Sequence, residues 1–150
     1  MTRSAVLILG ARSDIGKAVA QAFAARGHPV QLAARAADTL ADDKSDIALR
    51  HDVQVTLHEF DALETGSHDS FVTALPTLPG IAVCAVGLMG QQDDSARDIE
   101  AAIRVMRSNY EGPVSILAAL ANRFEARGSG TLVGISSVAG DRGRATNYVY

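Results

Sequence analysis

Three groups of residues in this chain are of types that do chemistry. The first is the turn "LGARSDIGKAVAQAF", which sets Gly10 at the end of an apolar run and Gly16 at the start of a helical stretch. A helix N-terminus offers unpaired backbone N–H groups and positive partial charge, and glycine lets a ligand approach them closely, so the turn can cradle a pyrophosphate. Gly10, Ser13, Asp14, Ile15 and Gly16 are therefore candidate cofactor contacts. The same turn also fits a plain strand-to-helix corner capped by Ser13 or Asp14. The second group is Arg12, in that turn, with Arg35, which closes the run "LAAR". Dinucleotide folds place an acidic residue at the second position for the ribose hydroxyls, or an arginine for a 2′-phosphate. Two guanidiniums able to converge on one phosphate favour NADP over NAD; the alternative is two solvated surface arginines. The third group is the closing segment "VGISSVAGDRGRATNYVY", with Ser136, Ser137 and Tyr150. The four histidines (His28, His51, His58, His68) have no ligand-like spacing, so no metal site is expected.

These residues need a frame, and the composition allows one. The chain has 150 residues, 47% hydrophobic and 21% charged, with a net charge of −3. That is enough for a single domain over residues 1–150 and excludes disorder. No basic excess exists to attract nucleic acid or an anionic membrane surface. The run "AVLILG" is too short for a signal core or a membrane span. A lone Cys84 cannot form an internal disulfide, which fits a cytoplasmic location.

Short apolar runs alternate with stretches of helical period. "AVLIL" reads as a first strand, followed by a helix with Ile15, Val19, Ala22 and Phe23 on its apolar stripe and Arg26-Gly27 at its end. "VQLAA" is a second strand, and a polar helix is expected over 36–50. "VTLHEF" is a third strand, then a stripe of Phe71, Ala74, Leu75 and Leu78 precedes Pro79-Gly80. "IAVCAV" is a fourth strand, apolar throughout and expected to be buried on both faces. Ile99, Ala102, Ile103 and Met106 form one further stripe, and Leu117, Leu120, Ala121 and Phe124 another, with a break near 109–113. Gly128 and Gly130 end that stretch before the fifth strand, "TLVGIS". Alternation of this kind predicts an α/β, Rossmann-like doubly wound parallel sheet in the order 3-2-1-4-5.

The chain resembles the short-chain dehydrogenase/reductase family along its whole length. Gly10 and Gly16 match the outer glycines of the family's Gly-x-x-x-Gly-x-Gly turn, while Asp14 stands at the middle one. Asp61 of "EFDAL" occupies the place of the family's adenine-contacting Asp. The family's Asn-Asn-Ala-Gly becomes Cys84-Ala85-Val86-Gly87, and the resemblance assigns Ala85, Val86 and Gly87 to the cofactor. Asn109 in "RSNYEGP" matches the catalytic Asn. "GTLVGISSVAG" matches the strand-five serine motif, and the family's catalytic Tyr lies thirteen residues after the catalytic Ser; Ser137 and Tyr150 have that spacing, whereas Tyr148 would pair with Ile135.

What the resemblance implies is hydride transfer between NADPH and a ketone or secondary alcohol. Charge building on the carbonyl oxygen needs hydrogen-bond donors and finally a proton. Ser137 would hold that oxygen and Tyr150 would protonate it, with Asn109 positioning a water relay. The partner is a small-molecule carbonyl or alcohol, and the intact relative is expected to be a homo-oligomer. The family also has a Lys four residues beyond its Tyr. Free Tyr titrates near pH ~10, and that Lys brings the pKa down. The chain carries no such residue, and the expectation is of a sequence cut short and inactive as it stands. A non-catalytic nucleotide-binding module and an interaction fragment are the alternatives.

Overall fold

The central strand, β1 (Val6–Leu9), is inaccessible along its whole length. Its side chains alternate between faces, and both faces are apolar because both are covered. Val6 and Ile8 pack with Ala20, Ala24, Leu32 and Ile47 on one side. Leu7 and Leu9 pack with Phe60, Val72, Ile116, Leu120 and Phe124 on the other. The computed structural model describes residues 3–150. Around β1 lie β2 (Val30–Ala34), β3 (Val55–Glu59), β4 (Ile81–Cys84) and β5 (Thr131–Gly134). All five are parallel, in the order β3-β2-β1-β4-β5, as the alternation of elements predicts.

Helices α1 (Asp14–Ala24) and α2 (Ala41–His51) cover one face, and α3 (His68–Ala74) and α6 (Gly112–Arg127) the other. Lys17 on α1 meets Asp43 on α2 at 3.0 Å, and Arg123 on α6 meets Asp69 on α3 at 2.9 Å. Between β4 and α6 run α4 (Gln92–Arg97), α5 (Ile99–Met106) and a wide π-helical turn, Arg107–Glu111. No helix among the described residues is long and apolar enough to cross a membrane.

Several expectations about faces are corrected. On α1 the buried positions are Gly16, Ala20 and Ala24, while Ile15 is 54% exposed and Ala22 is exposed. Small residues let this helix lie close to β1, which a stripe drawn through the largest side chains does not reveal. On α5, Ala102 and Val105 are buried and Ile99 and Met106 face outward. On α3 the buried residues are His68 and Val72; of the expected stripe, Leu75 is buried just beyond the helix end and Phe71 and Leu78 pack against the same core. The polar helix over 36–50 is a 3₁₀ turn (Ala37–Leu40) followed by α2. The break near 109–113 is no break. The π turn carries the chain straight into α6, with Pro113 at its start.

Candidate functional site

β1 delivers the chain to Gly10, whose φ of +82° is a conformation that L side chains rarely adopt. A Cβ there would lie 2.8 Å from the carbonyl carbon and oxygen of Ala85, beyond the end of β4. At Gly16 a Cβ would lie 2.5 Å from the Gly10 carbonyl oxygen. The two glycines thus let the turn, the first helix and the β4 loop close on one another. Ser13 is the helix N-cap: its Oγ accepts from Gly16 N at 3.0 Å and donates to the Gly10 carbonyl at 2.8 Å. The first two helical amides, of Asp14 and Ile15, have no partner among the described residues. Asp14 has a negative φ and starts the helix as an ordinary acidic first-turn residue, so the turn does not need glycine there.

A cleft of about 340 Å³ opens beside this turn at the C-terminal ends of the strands. Gly10, Arg12 and Ser13 line it from the first turn, Ala34 and Arg35 from the end of β2. Residues 60–63 follow from β3, 85–88 from β4, and Arg104 and Ser108 from the α5 side. Arg12 Nη1 donates to the Arg35 carbonyl at 3.3 Å, bringing the two arginines to one rim. Asp61 Oδ1 accepts from Leu63 N at 2.9 Å, which holds its carboxylate in a tight turn. Predicted residues Gly10, Arg12, Ser13, Arg35, Asp61, Ala85, Val86 and Gly87 therefore share one cleft; Asp14, Ile15 and Gly16 belong to its turn without lining it.

Sequence reasoning missed others. Glu59, the last residue of β3, accepts from Ala36 N and Ala37 N, both at 2.9 Å. It clamps the loop that presents Arg35, and Ala36 sits there at φ 50°. An acidic residue at a strand end two positions before Asp61 was the available signal. Leu88 simply continues the predicted 85–87 run, while Arg104 and Ser108 come from a distant part of the chain and carry no local signal.

Cys84 stands where the family has the first Asn of its β4 motif, and burial pushes its thiol pKa up. It is a packing residue, not a nucleophile. Asn109 lies within the π turn, a kind of distortion frequent at functional sites. Its Oδ1 accepts from Leu88 N at 2.7 Å and its Nδ2 donates to the Leu88 carbonyl at 2.8 Å. The helix is thereby stitched to the β4 loop.

Ser137 and Tyr150 line no part of the cleft. Ser137 follows β5 and its Oγ accepts from Ala139 N at 3.2 Å. Tyr150 is half-buried, and the amide of neighbouring Val149 donates to Gln92 Oε1 at 3.3 Å.

Comparison with known proteins agrees with this geometry. The family model described as short chain dehydrogenase matches residues 4–150. An uncharacterised oxidoreductase of Mycobacterium tuberculosis is 39% identical over 148 residues, covering 97% of this chain and 59% of the relative. The chain therefore spans little more than half the length of that curated relative. Among solved structures, a bulky-bulky ketone specific alcohol dehydrogenase from Comamonas testosteroni superposes with a TM-score of 0.87 at 26% identity, covering 100% of this chain and 61% of that one. A short-chain dehydrogenase from Sphingobium yanoikuyae in complex with NADPH gives 0.86 at 26% identity, covering 98% and 59%. A parallel sheet ordered 3-2-1-4-5, a glycine turn that closes only without side chains, and a family match along nearly every residue have one common source: the chain belongs to the short chain dehydrogenase family.

Proposed function

We propose that the protein is an NADP-dependent oxidoreductase interconverting a ketone and a secondary alcohol. The observation that carries the reading is the shared rim of Arg12 and Arg35 beside a helix start with open amides. The fit to a dinucleotide rests on backbone as well as charge, since Gly10 and Gly16 let the turn, α1 and the β4 loop close on one another at the cleft. Gly10, Gly16 and the amides of Asp14 and Ile15 would hold the pyrophosphate. Arg12 and Arg35 would take the 2′-phosphate, Asp61 the adenine, and Ala85, Val86 and Gly87 the adjoining ribose. The NADPH complex of the Sphingobium neighbour and the ketone specificity of the Comamonas neighbour support this choice.

When bound, the reduced nicotinamide supplies a hydride to the carbonyl carbon. The chain's own residues manage the oxygen. Ser137 donates a hydrogen bond to it as charge develops, and Tyr150 gives it the proton that completes the alcohol. Asn109 holds the helix against the β4 loop through Leu88 and so fixes one wall of the site. In the reverse direction Tyr150 takes the alcohol proton. The setting is a cytoplasmic homo-oligomer acting on a small molecule. An outward stripe of Ile99, Met106, Tyr110 and Val114, at helical spacing, is the apolar surface a second copy would cover. One other reading, a nucleotide-binding module without turnover, draws on the separation of Ser137 and Tyr150 from the cleft.

Calorimetric titration with NADPH and NADH tests the cofactor, and NADPH oxidation over a ketone panel tests turnover. NADPH should bind more tightly, and Arg35→Asp should weaken or reverse that preference. Losing a charge-assisted phosphate contact is typically worth about 1.5–3 kcal/mol, or ten- to a hundredfold. Equal affinity for the two cofactors in the unmutated protein refutes the NADP reading. Tight binding with no NADPH oxidation by any ketone supports the module instead.

A further inference from the structure

We propose that His68 is a positioning residue for the adenine subsite: its buried ring ties the Asp61 backbone to helix α6. The inference rests on the reading of the cleft as an NADP site. His68 opens α3 and is 1% exposed, a depth at which an apolar ring would pack equally well. A polar group buried there is costly unless both nitrogens are satisfied, and both are. Nε2 lies 3.1 Å from the Asp61 carbonyl oxygen, and Nδ1 lies 2.9 Å from Ser115 Oγ on α6. A carbonyl oxygen only accepts, so Nε2 carries the proton. In the neutral ring Nδ1 then accepts from the Ser115 hydroxyl. The neighbours fix the tautomer, and the Phe60 ring, 5.3 Å away between centroids, braces its plane.

The consequence lies in what the two bonds connect. Asp61 begins the segment 61–63 that forms one wall of the cleft; Ser108, in the π turn that runs into α6, lines another part of it. His68 spans from that wall to α6. The two approach so closely that a Cβ on Gly112, the first residue of α6, would sit 2.4 Å from the Ala62 carbonyl oxygen. His68 therefore holds the start of the 61–63 segment against α6 and fixes the direction of the Asp61 peptide, without itself lining the cleft.

The test measures the two halves of the cofactor separately in the protein, with adenosine 2′,5′-bisphosphate and nicotinamide mononucleotide as probes. Failure of the unmutated protein to bind the bisphosphate sinks the cofactor reading itself. Given binding, His68→Phe, which fills the space and loses both bonds, should raise the bisphosphate Kd about tenfold or more, on the scale of one or two lost hydrogen bonds. The mononucleotide Kd should stay within about twofold. His68→Gln can place an N–H close to the position of Nε2 and should recover most of the loss. Ser115→Ala, the variant to rely on if His68→Phe does not fold, should raise the bisphosphate Kd roughly threefold. A parallel rise for both probes, a His68→Gln no better than His68→Phe, or an unchanged Kd in Ser115→Ala overturns the proposal.

Discussion

The turn at residues 10–16 and the segment at 135–150 both carry chemistry-capable residues, yet they are held in place in opposite ways. The first is fixed by long-range contact: Gly10 N and Ala11 N donate to Ala33, and the Gly10 Cα faces the Ala85 peptide. The second is held mostly by short turns, Gly140 N to Ser137, Asp141 N and Arg142 N to Val138, and Asn147 N to Arg144, with longer ties only at its ends, Ile135 N to Cys84 and Val149 N to Gln92 Oε1. Its apolar side chains are open, Val138 being 74% and Tyr148 63% exposed. A phosphate cradle is made by backbone, so the sheet that places the backbone also completes it. A reacting hydroxyl is a side chain on the end of a turn, and its position depends on whatever packs over that turn.

Substitutions can sharpen or break this contrast. In a chain carried on through the family's Lys, Tyr150→Phe should have the largest effect, lowering carbonyl reduction by about 10²–10⁴-fold, while the NADPH Kd and the melting temperature stay put. A rise in that Kd together with a fall in melting temperature would mean that the closing segment is part of the frame. Gly10→Val should do the reverse and damage the frame first. With a positive φ and peptide atoms 2.8 Å from any Cβ, overpacking and backbone strain together should cost about 2–5 kcal/mol, read by urea unfolding. Tolerance of valine there would show that the β4 loop is free to move.

Ser13→Ala removes one helix cap and should cost about 1 kcal/mol in the same assay, with a parallel loss of cofactor affinity. The smallest effect concerns His58 on β3. Burial holds its pKa below the usual value, against the edge of Phe71 and within 2.8 Å of Thr56 Oγ1. The unfolded chain takes up this proton near pH ~6.5 and the folded chain only at lower pH. Stability should therefore be full above about pH 6.5 and fall as pH drops through the lowered folded value. His58→Gln should flatten that part of the pH–stability curve; an unchanged slope would assign it to other groups.

Fold and site were legible in the sequence to different depths. Strand order followed from "AVLIL" and "IAVCAV", because a run apolar on both faces must be central in a parallel sheet. Gly10, Gly16, Arg35 and Asp61 were legible because strand ends and turns have their own residue chemistry. The faces of α1 and α5 were read only in part: Val19, Phe23 and Ala102 do pack inward, but Ile15, Ile99 and Met106 do not, since they outweigh alanine on any hydrophobic scale while close helix-on-sheet packing selects Ala20 and Ala24. Glu59, Arg104 and Ser108 reach the site, or the loops around it, only through tertiary neighbours, which one sequence does not display.

The approach of Gly10 to Ala85 also has a consequence in time. Every partner of β1 is downstream of it, and the half of the cradle that Gly10 faces belongs to a peptide some 75 residues later in the chain. At synthesis rates of about 5–20 residues per second, roughly 4–15 s separate the making of the two halves. Through that interval the nascent first turn has β2 to pair with but nothing to close against. On the proposed cofactor reading, nucleotide affinity arises late and all at once, when β4 docks beside β1, so a ligand present during translation can reward only chains that have already reached that step.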